Sequence, residues 1–126
     1  MAVFFICAGL LGLLAAILTL NVGRMRGQKK IFLGDGGDPQ LTAAIRAHGN
    51  LLELTPFALL LLFMMHGPMG HRLADILAII LVVARFLHAG GMLGFVPHGR
   101  PAGAIATTVI MAIAGVSLIL AGARAL

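Results

Sequence analysis

Tryptophan and tyrosine are absent from this 126-residue chain, cysteine occurs once, and only four residues are acidic. Charged residues make up 10% of the sequence, against about 25% in an ordinary soluble domain, while 60% of it is hydrophobic. Those scarcities exclude a soluble globular domain. With a mean hydropathy of +1.07 the chain is expected to be an integral membrane protein. The lone Cys7 rules out an intramolecular disulfide and any cysteine-based metal site; inside the first apolar run it is expected to be a small packing residue. No Lys or Arg begins the run "MAVFFICAGLLGLLAAILTL", and the run exceeds a usual signal core, so a retained helix is expected there. No HxxxH or His-plus-Cys pattern supports zinc, and no metal is expected. "GDGGDP" lacks the GK[ST] ending of a phosphate loop and its two aspartates would repel phosphate, which makes it a turn. The net charge of +5 is spread over so few residues that it fits juxtamembrane basic side chains facing anionic headgroups, not a nucleic-acid partner.

Apolar runs are what the chain has in quantity. A span needs about 20 mainly apolar residues to cross a hydrocarbon core of about 30 Å. Four such runs occur, at 2–22, 41–65, 73–96 and 102–123, so a single all-α domain over 1–126 is expected, an antiparallel bundle of four transmembrane helices. Asp38 followed by Pro39 suits a helix start, and "HGPMGH" and "VPHGRP" are short breakers between the later helices. Arg24, Arg26, Lys29 and Lys30 in the first loop and Arg100 in the third oppose only Arg72 and Arg124 on the other side. By the positive-inside rule, loops one and three are expected in the cytoplasm and both termini outside.

Polar residues concentrate in "AIRAHGNLLELTPFALLLLFMM". On a helix, Arg46, Asn50 and Glu53 at i, i+4 and i+7 share one face, with His48 turned away. Arg85 and His88, at i and i+3, share a face of the third helix, which antiparallel topology brings to the same level. A charge at the bilayer centre costs about 2.5 to 3.5 kcal/mol on insertion scales, so Glu53 and Arg85 are expected to face protein or water. Two readings stay open: Glu53 pairs with Arg46 or Arg85 and pins helices together, or the arginines, which outnumber the one carboxylate, capture an anionic ligand. His66, His71 and His98 sit at helix ends and are expected at the interface, Asp75 is a cap-region charge, and the seven methionines are packing residues. In the fourth helix Ala104, Thr108, Ala112, Gly115 and Gly122, with Gly90, Gly91 and Gly94 before it, are expected to allow close helix approach. Four helices of this size enclose little interior, so a substrate cavity is expected between subunits.

"GDGG" followed by "IRAHGNLLELTPFALLLL" resembles the second helix of the MAPEG family, the membrane-associated proteins in eicosanoid and glutathione metabolism, with its Arg-x-x-x-Asn-x-x-Glu-x-x-Pro pattern. Arg46, Asn50, Glu53 and Pro56 match it, and Arg85 with His88 in "ARFLHAGGMLG" match the family's Arg-x-x-His stretch. The resemblance covers the whole four-span plan. It implies a homotrimer in the bilayer, a bacterial inner membrane protein whose partners are its own copies and a lipophilic small molecule, with glutathione as cosubstrate held between subunits near the cytoplasmic face. Arg46, Asn50, Glu53, Arg85 and His88 would line the glutathione site, Glu53 meeting the amine and Arg46 a carboxylate. Arg100 is the nearest match to the arginine that stabilises the thiolate. The implied reaction is thiolate attack on a lipophilic electrophile or a lipid hydroperoxide. Family catalysts often carry tyrosines where this chain has Leu54 and Met92.

Two rival functions differ in what they require. A small four-helix exporter depends on a carboxylate in its first helix, which is missing here. A catalytically silent scaffold would use Glu53 and its arginines as an assembly lock.

Overall fold

In a computed structural model, which describes residues 1–67 and 71–126, the chain forms four helices: α1 (Ala2–Lys29), α2 (Pro39–Met65), α3 (His71–Met92) and α4 (Gly99–Arg124). All four are long and apolar enough to cross a membrane. The expected "HGPMGH" joint falls partly on residues 68–70, which lie outside the described ones.

Each helix buries a stripe at three- and four-residue spacing, the period that keeps side chains on one face. On α1 the stripe is Phe4, Cys7, Leu11, Leu14 and Leu18; on α4 it is Gly99, Gly103, Thr107, Ile110 and Ala114. Side-chain pairs fix the antiparallel order. Phe4 stacks near Phe63 and His66 at one end, Thr19 meets His48 midway, and Lys29 reaches Asp38 at the other end. α2 and α3 form the centre of the bundle. α1 and α4 each pack on both of them and, among the described residues, not on each other.

The helix limits depart from the sequence expectation at the end bearing loops one and three. α1 runs seven residues past the expected boundary, so Arg24, Arg26 and Lys29 are helical; it stops at Lys30, which takes a left-handed conformation with φ of 57°. α3 stops at Met92 instead of 96, because Gly94 turns the chain with φ of 83°. α4 begins at Gly99, so Arg100 lies in its first turn and not in a loop. Proline tolerates this, since the first-turn N–H that Pro101 lacks has no helical partner anyway.

Lipid is as apolar as leucine, so close packing and polar contacts hold the helices, not burial from water. The tightest seam joins α3 to α4. A Cβ on Gly103 would overlap the Ala84 carbonyl oxygen and lie 2.7 Å from the His88 Cβ, and one on Gly99 would overlap the Leu87 carbonyl oxygen. The small-residue face expected from Ala104, Thr108, Ala112, Gly115 and Gly122 is therefore not the seam. Gly115 and Gly122 have open space around them, while the true seam is displaced by one residue to Gly103 and Thr107.

Two cores result. Phe4, Leu11, Leu62, Leu77 and Leu81 fill the half holding the start of α1, with the buried His66 ring at its end. The other half has only a small apolar cluster, Leu14, Leu18, Leu51 and Ala89. Beside it, the interior is polar.

Candidate polar site at the loop-one end

The start of α2 is fixed by the loop before it. The Asp38 carboxylate accepts the Leu41 amide at 2.8 Å as an N-cap, with Pro39 at the first helical position, and takes a 2.6 Å ion pair from Lys29 of α1. Asp35 accepts from the Gly37 amide at 3.0 Å and from the Thr42 hydroxyl at 2.8 Å, while Gly34, Gly36 and Gly37 supply the positive φ angles of the turn. Both carboxyls are held below their ordinary range. For Asp38 the Lys29 ammonium is the main cause and the Leu41 amide the next; for Asp35 they are the Gly37 amide and the Thr42 hydroxyl. "GDGGDP" is thus a turn that staples α1 to α2.

One turn beyond Thr42 stands Arg46. A groove of about 530 Å³ opens here, lined by Gly37, Thr42 and Arg46 on one side and by Gly91, Met92 and Arg100 on the other. The α3–α4 glycines set its far wall: any side chain on Gly91 would overlap the backbone of Arg100, so the first turn of α4 lies hard against the end of α3. Two guanidinium-bearing residues from different helices therefore border one groove, and among the described residues no carboxylate lines it.

Glu53 lies further along the same face of α2, about 21 Å from the helix start at 1.5 Å per residue. Its carboxylate reaches back over Gly49 to Arg46 at 3.6 Å, and both side chains are more than half exposed, at 55% and 56%. Of the two pairings left open for Glu53, the structure has the one within α2, which joins no two helices. The interhelical pin is Arg85. Fully buried, it donates to the Asn50 Oδ1 at 2.7 Å on α2 and to the Thr107 hydroxyl at 3.4 Å on α4, and stands 3.5 Å from the His88 Nδ1. Its Nε has no hydrogen-bond partner among the described residues. A buried guanidinium with neutral partners only is costly in a low-dielectric interior.

The residues proposed from sequence thus fall into two groups. Arg46, Glu53 and Arg100 are exposed on the subunit surface at the groove or just below it, while Arg85 and His88 are interior, with Asn50 half-buried between them. Sequence reasoning missed Thr42, Thr107 and Thr19; the first two sit one turn before Arg46 and eight residues after Gly99, on stripes that periodicity could have shown. His48, turned away from the Arg46, Asn50 and Glu53 face as expected, bonds to Thr19 at 2.9 Å and ties α2 to α1. His66 sits at the end of α2, as expected, and is buried there. Its Nδ1 lies 2.9 Å from the Leu62 carbonyl oxygen and its Nε2 3.0 Å from Asp75, which therefore joins α3 to the end of α2 rather than serving only as a cap charge.

A family model described as "MAPEG family" matches residues 4–120. "Inner membrane protein YecN" of Escherichia coli strain K12 is 38% identical over 85 residues, an alignment covering 67% of this chain and 65% of YecN. The protein of the same name from Escherichia coli O6:H1 strain CFT073 matches to the same extent. The chain thus spans just under two thirds of the length of these relatives.

Proposed function

The chain belongs to the MAPEG family, and from the chemistry of its groove we propose that it is a membrane glutathione-dependent enzyme. The observation that carries this reading is the convergence of Arg46 and Arg100, from α2 and α4, on one groove that no carboxylate lines among the described residues. Glutathione has two carboxylates, one amine and a thiol. Arg46 would take a carboxylate by its planar fork, Glu53 the amine, and Asn50, with Arg85 and His88 behind it, the far end of the peptide. Arg100 would face the thiol. A free thiol with a pKa of about 8.5 is mostly protonated at pH 7, and an adjacent guanidinium favours the thiolate.

The thiolate then attacks a lipophilic electrophile, forming a C–S bond as the electrophile takes up a proton or loses its leaving group. With a lipid hydroperoxide, the thiolate breaks the O–O bond and releases the alcohol. A second glutathione reduces the resulting sulfenic acid, giving water and the disulfide. Neither route requires a covalent bond to the protein.

The same geometry argues for assembly. The Arg46–Glu53 pair lies half-exposed on a face of a membrane-crossing helix, where contact with lipid is unfavourable. A homotrimer would cover that face and complete the site between subunits, with loops one and three at the cytoplasmic face of the inner membrane. The scaffold reading keeps one specific observation in its favour: Asn50 is already spent on Arg85, a helix-locking bond that needs no ligand. Calorimetry of glutathione with detergent-purified protein separates the two. Saturable binding that is lost in Arg46→Ala, with the oligomer unchanged in size, supports the enzyme. No binding to well-folded wild type rejects it in favour of the scaffold.

A further inference from the structure

A second groove, of about 510 Å³, lies on the other side of Pro39, Ala43 and Met92 from the first. It is lined by Asn21, Arg24 and Met25 of α1, Gln40 of α2, and Leu93 and Phe95 of the α3–α4 turn. The glutathione reading makes no use of it.

Its depth follows from helix length. The 28 residues of α1 span about 42 Å at 1.5 Å each, against a hydrocarbon core of about 30 Å. The apolar stretch ends at Leu20, so Asn21 and Arg24 stand where acyl chains give way to headgroups. Of the other cations of this segment, Lys30 does not line the groove and Arg26 and Lys29 are engaged locally. Arg26 donates to the carbonyl oxygens of Ile31 at 3.2 Å and Gly34 at 2.7 Å, and Lys29 is held by Asp38 and by the Gln40 Oε1. Arg24, lining the groove, has no hydrogen bond or ion pair among the described residues. Across from it Phe95 is 78% exposed, a large apolar ring at the same level. The site is amphiphilic, a cation with an apolar wall opposite it.

We propose that this groove binds one anionic phospholipid, with the headgroup phosphate on Arg24 and an acyl chain along Phe95 and Leu93. A free phosphate ion would gain nothing from Phe95. A zwitterionic lipid brings its own cation, which offsets the attraction of Arg24. A basic residue near an anionic lipid surface is worth roughly a fivefold change in binding.

The test is native mass spectrometry of the full chain released from neutral detergent, with phosphatidylglycerol or phosphatidylcholine added at equal concentration. Wild type is expected to retain phosphatidylglycerol over phosphatidylcholine by at least about fivefold. Arg24→Gln, an exposed position whose change leaves the packing intact, is expected to abolish that preference, and Phe95→Ala to weaken retention of both lipids. Lys30→Gln, at the same helix end but outside the groove, is expected to keep the preference. Equal retention of the two lipids by wild type overturns the proposal, as does an Arg24→Gln protein that still prefers phosphatidylglycerol. Displacement of the lipid by millimolar inorganic phosphate, with Phe95→Ala binding as wild type does, would show a phosphate site and not a lipid site, and rejects it equally.

Discussion

Replacing Gly103 by alanine adds one methyl group at the tightest point of the α3–α4 seam. That methyl would overlap the Ala84 carbonyl oxygen and lie 2.7 Å from the His88 Cβ and 2.8 Å from the His88 amide nitrogen. Two of those three atoms are backbone, so no rotamer change relieves the clash and the helices must separate. Overpacking of this kind costs about 1–3 kcal/mol even where side chains can shift. Separation also stretches the Arg85–Thr107 bond, already 3.4 Å long, and hydrogen bonds to charged groups are worth about 1.5–3 kcal/mol. Against this stands the gain in helix propensity from glycine to alanine, about 1 kcal/mol. The net expectation is a loss of about 2–4 kcal/mol, or roughly 10 °C in thermal midpoint for a chain of this size. The assay is circular dichroism in detergent as temperature rises, beside Gly27→Ala in α1. At Gly27 nothing lies within 4 Å, so only the propensity gain acts and the midpoint is expected to rise slightly. A Gly103→Ala protein melting within a degree or two of wild type, or shifting in the same direction as Gly27→Ala, would refute the seam.

Three further outcomes are expected. Asn50→Ala and Arg85→Met should each destabilise the protein in chemical unfolding, and the double variant should lose clearly less than their sum, because Arg85→Met alone strands Asn50 and Asn50→Ala alone strands a buried guanidinium; strict additivity would mean the bond contributes nothing. Arg100→Ala should move the rising limb of the pH–rate profile for conjugation upward, toward the free thiol near about 8.5, with saturating glutathione still reaching turnover at high pH; an unshifted profile removes Arg100 from the thiolate. The Asp35 and Asp38 carboxyls have lowered folded values, so their contribution to holding the loop-one turn is fully present above the ordinary value of 3.8 and is lost as pH falls through those lowered values. Amide exchange at Leu41 should therefore accelerate only on acidification below that value, and exchange that is already fast at pH 6 would contradict the staple.

How far the sequence foretold this arrangement depends on which physical signal each element carries. The four spans were legible because lipid imposes a length and an apolar composition that little else in a short chain satisfies. The Arg46, Asn50 and Glu53 pattern was legible because polar residues are rare enough inside such a span to stand out. Helix ends were less so. Arg24 and Arg26 look like loop residues by charge, yet α1 continues through them because no proline lies between Val22 and Lys29 and water at the headgroups tolerates the charge. Arg100 was placed in a loop by the proline after it, although proline is welcome in a first helical turn. The α4 seam was missed by one residue, since a helix rich in Ala, Gly and Thr offers two adjacent small-residue faces. Only the partner atoms of Ala84 and His88 distinguish them. The partner of Glu53 was not decidable at all, because Arg46 and Arg85 are both within helical reach and the choice turns on which of them is buried.

That choice shapes the site. Had Glu53 met Arg85, both charges would be neutralised inside the subunit and the groove would have only Arg46 and Arg100 at its rim. Instead, Arg85 is held by an amide, a hydroxyl and an imidazole, none of which cancels its charge, with its Nε unpartnered. Glu53 stays on the surface with a single long contact to Arg46. The loop-one half of the subunit thus presents an exposed acid and base pair, a second arginine across the groove, and an interior cation behind Asn50. A neutral or purely apolar ligand would leave that positive excess uncompensated. A ligand bearing two carboxylates, one amine and a thiolate carries two net negative charges and would match it, which is why the charge count, more than the shape of the groove, accords with the proposed peptide thiol.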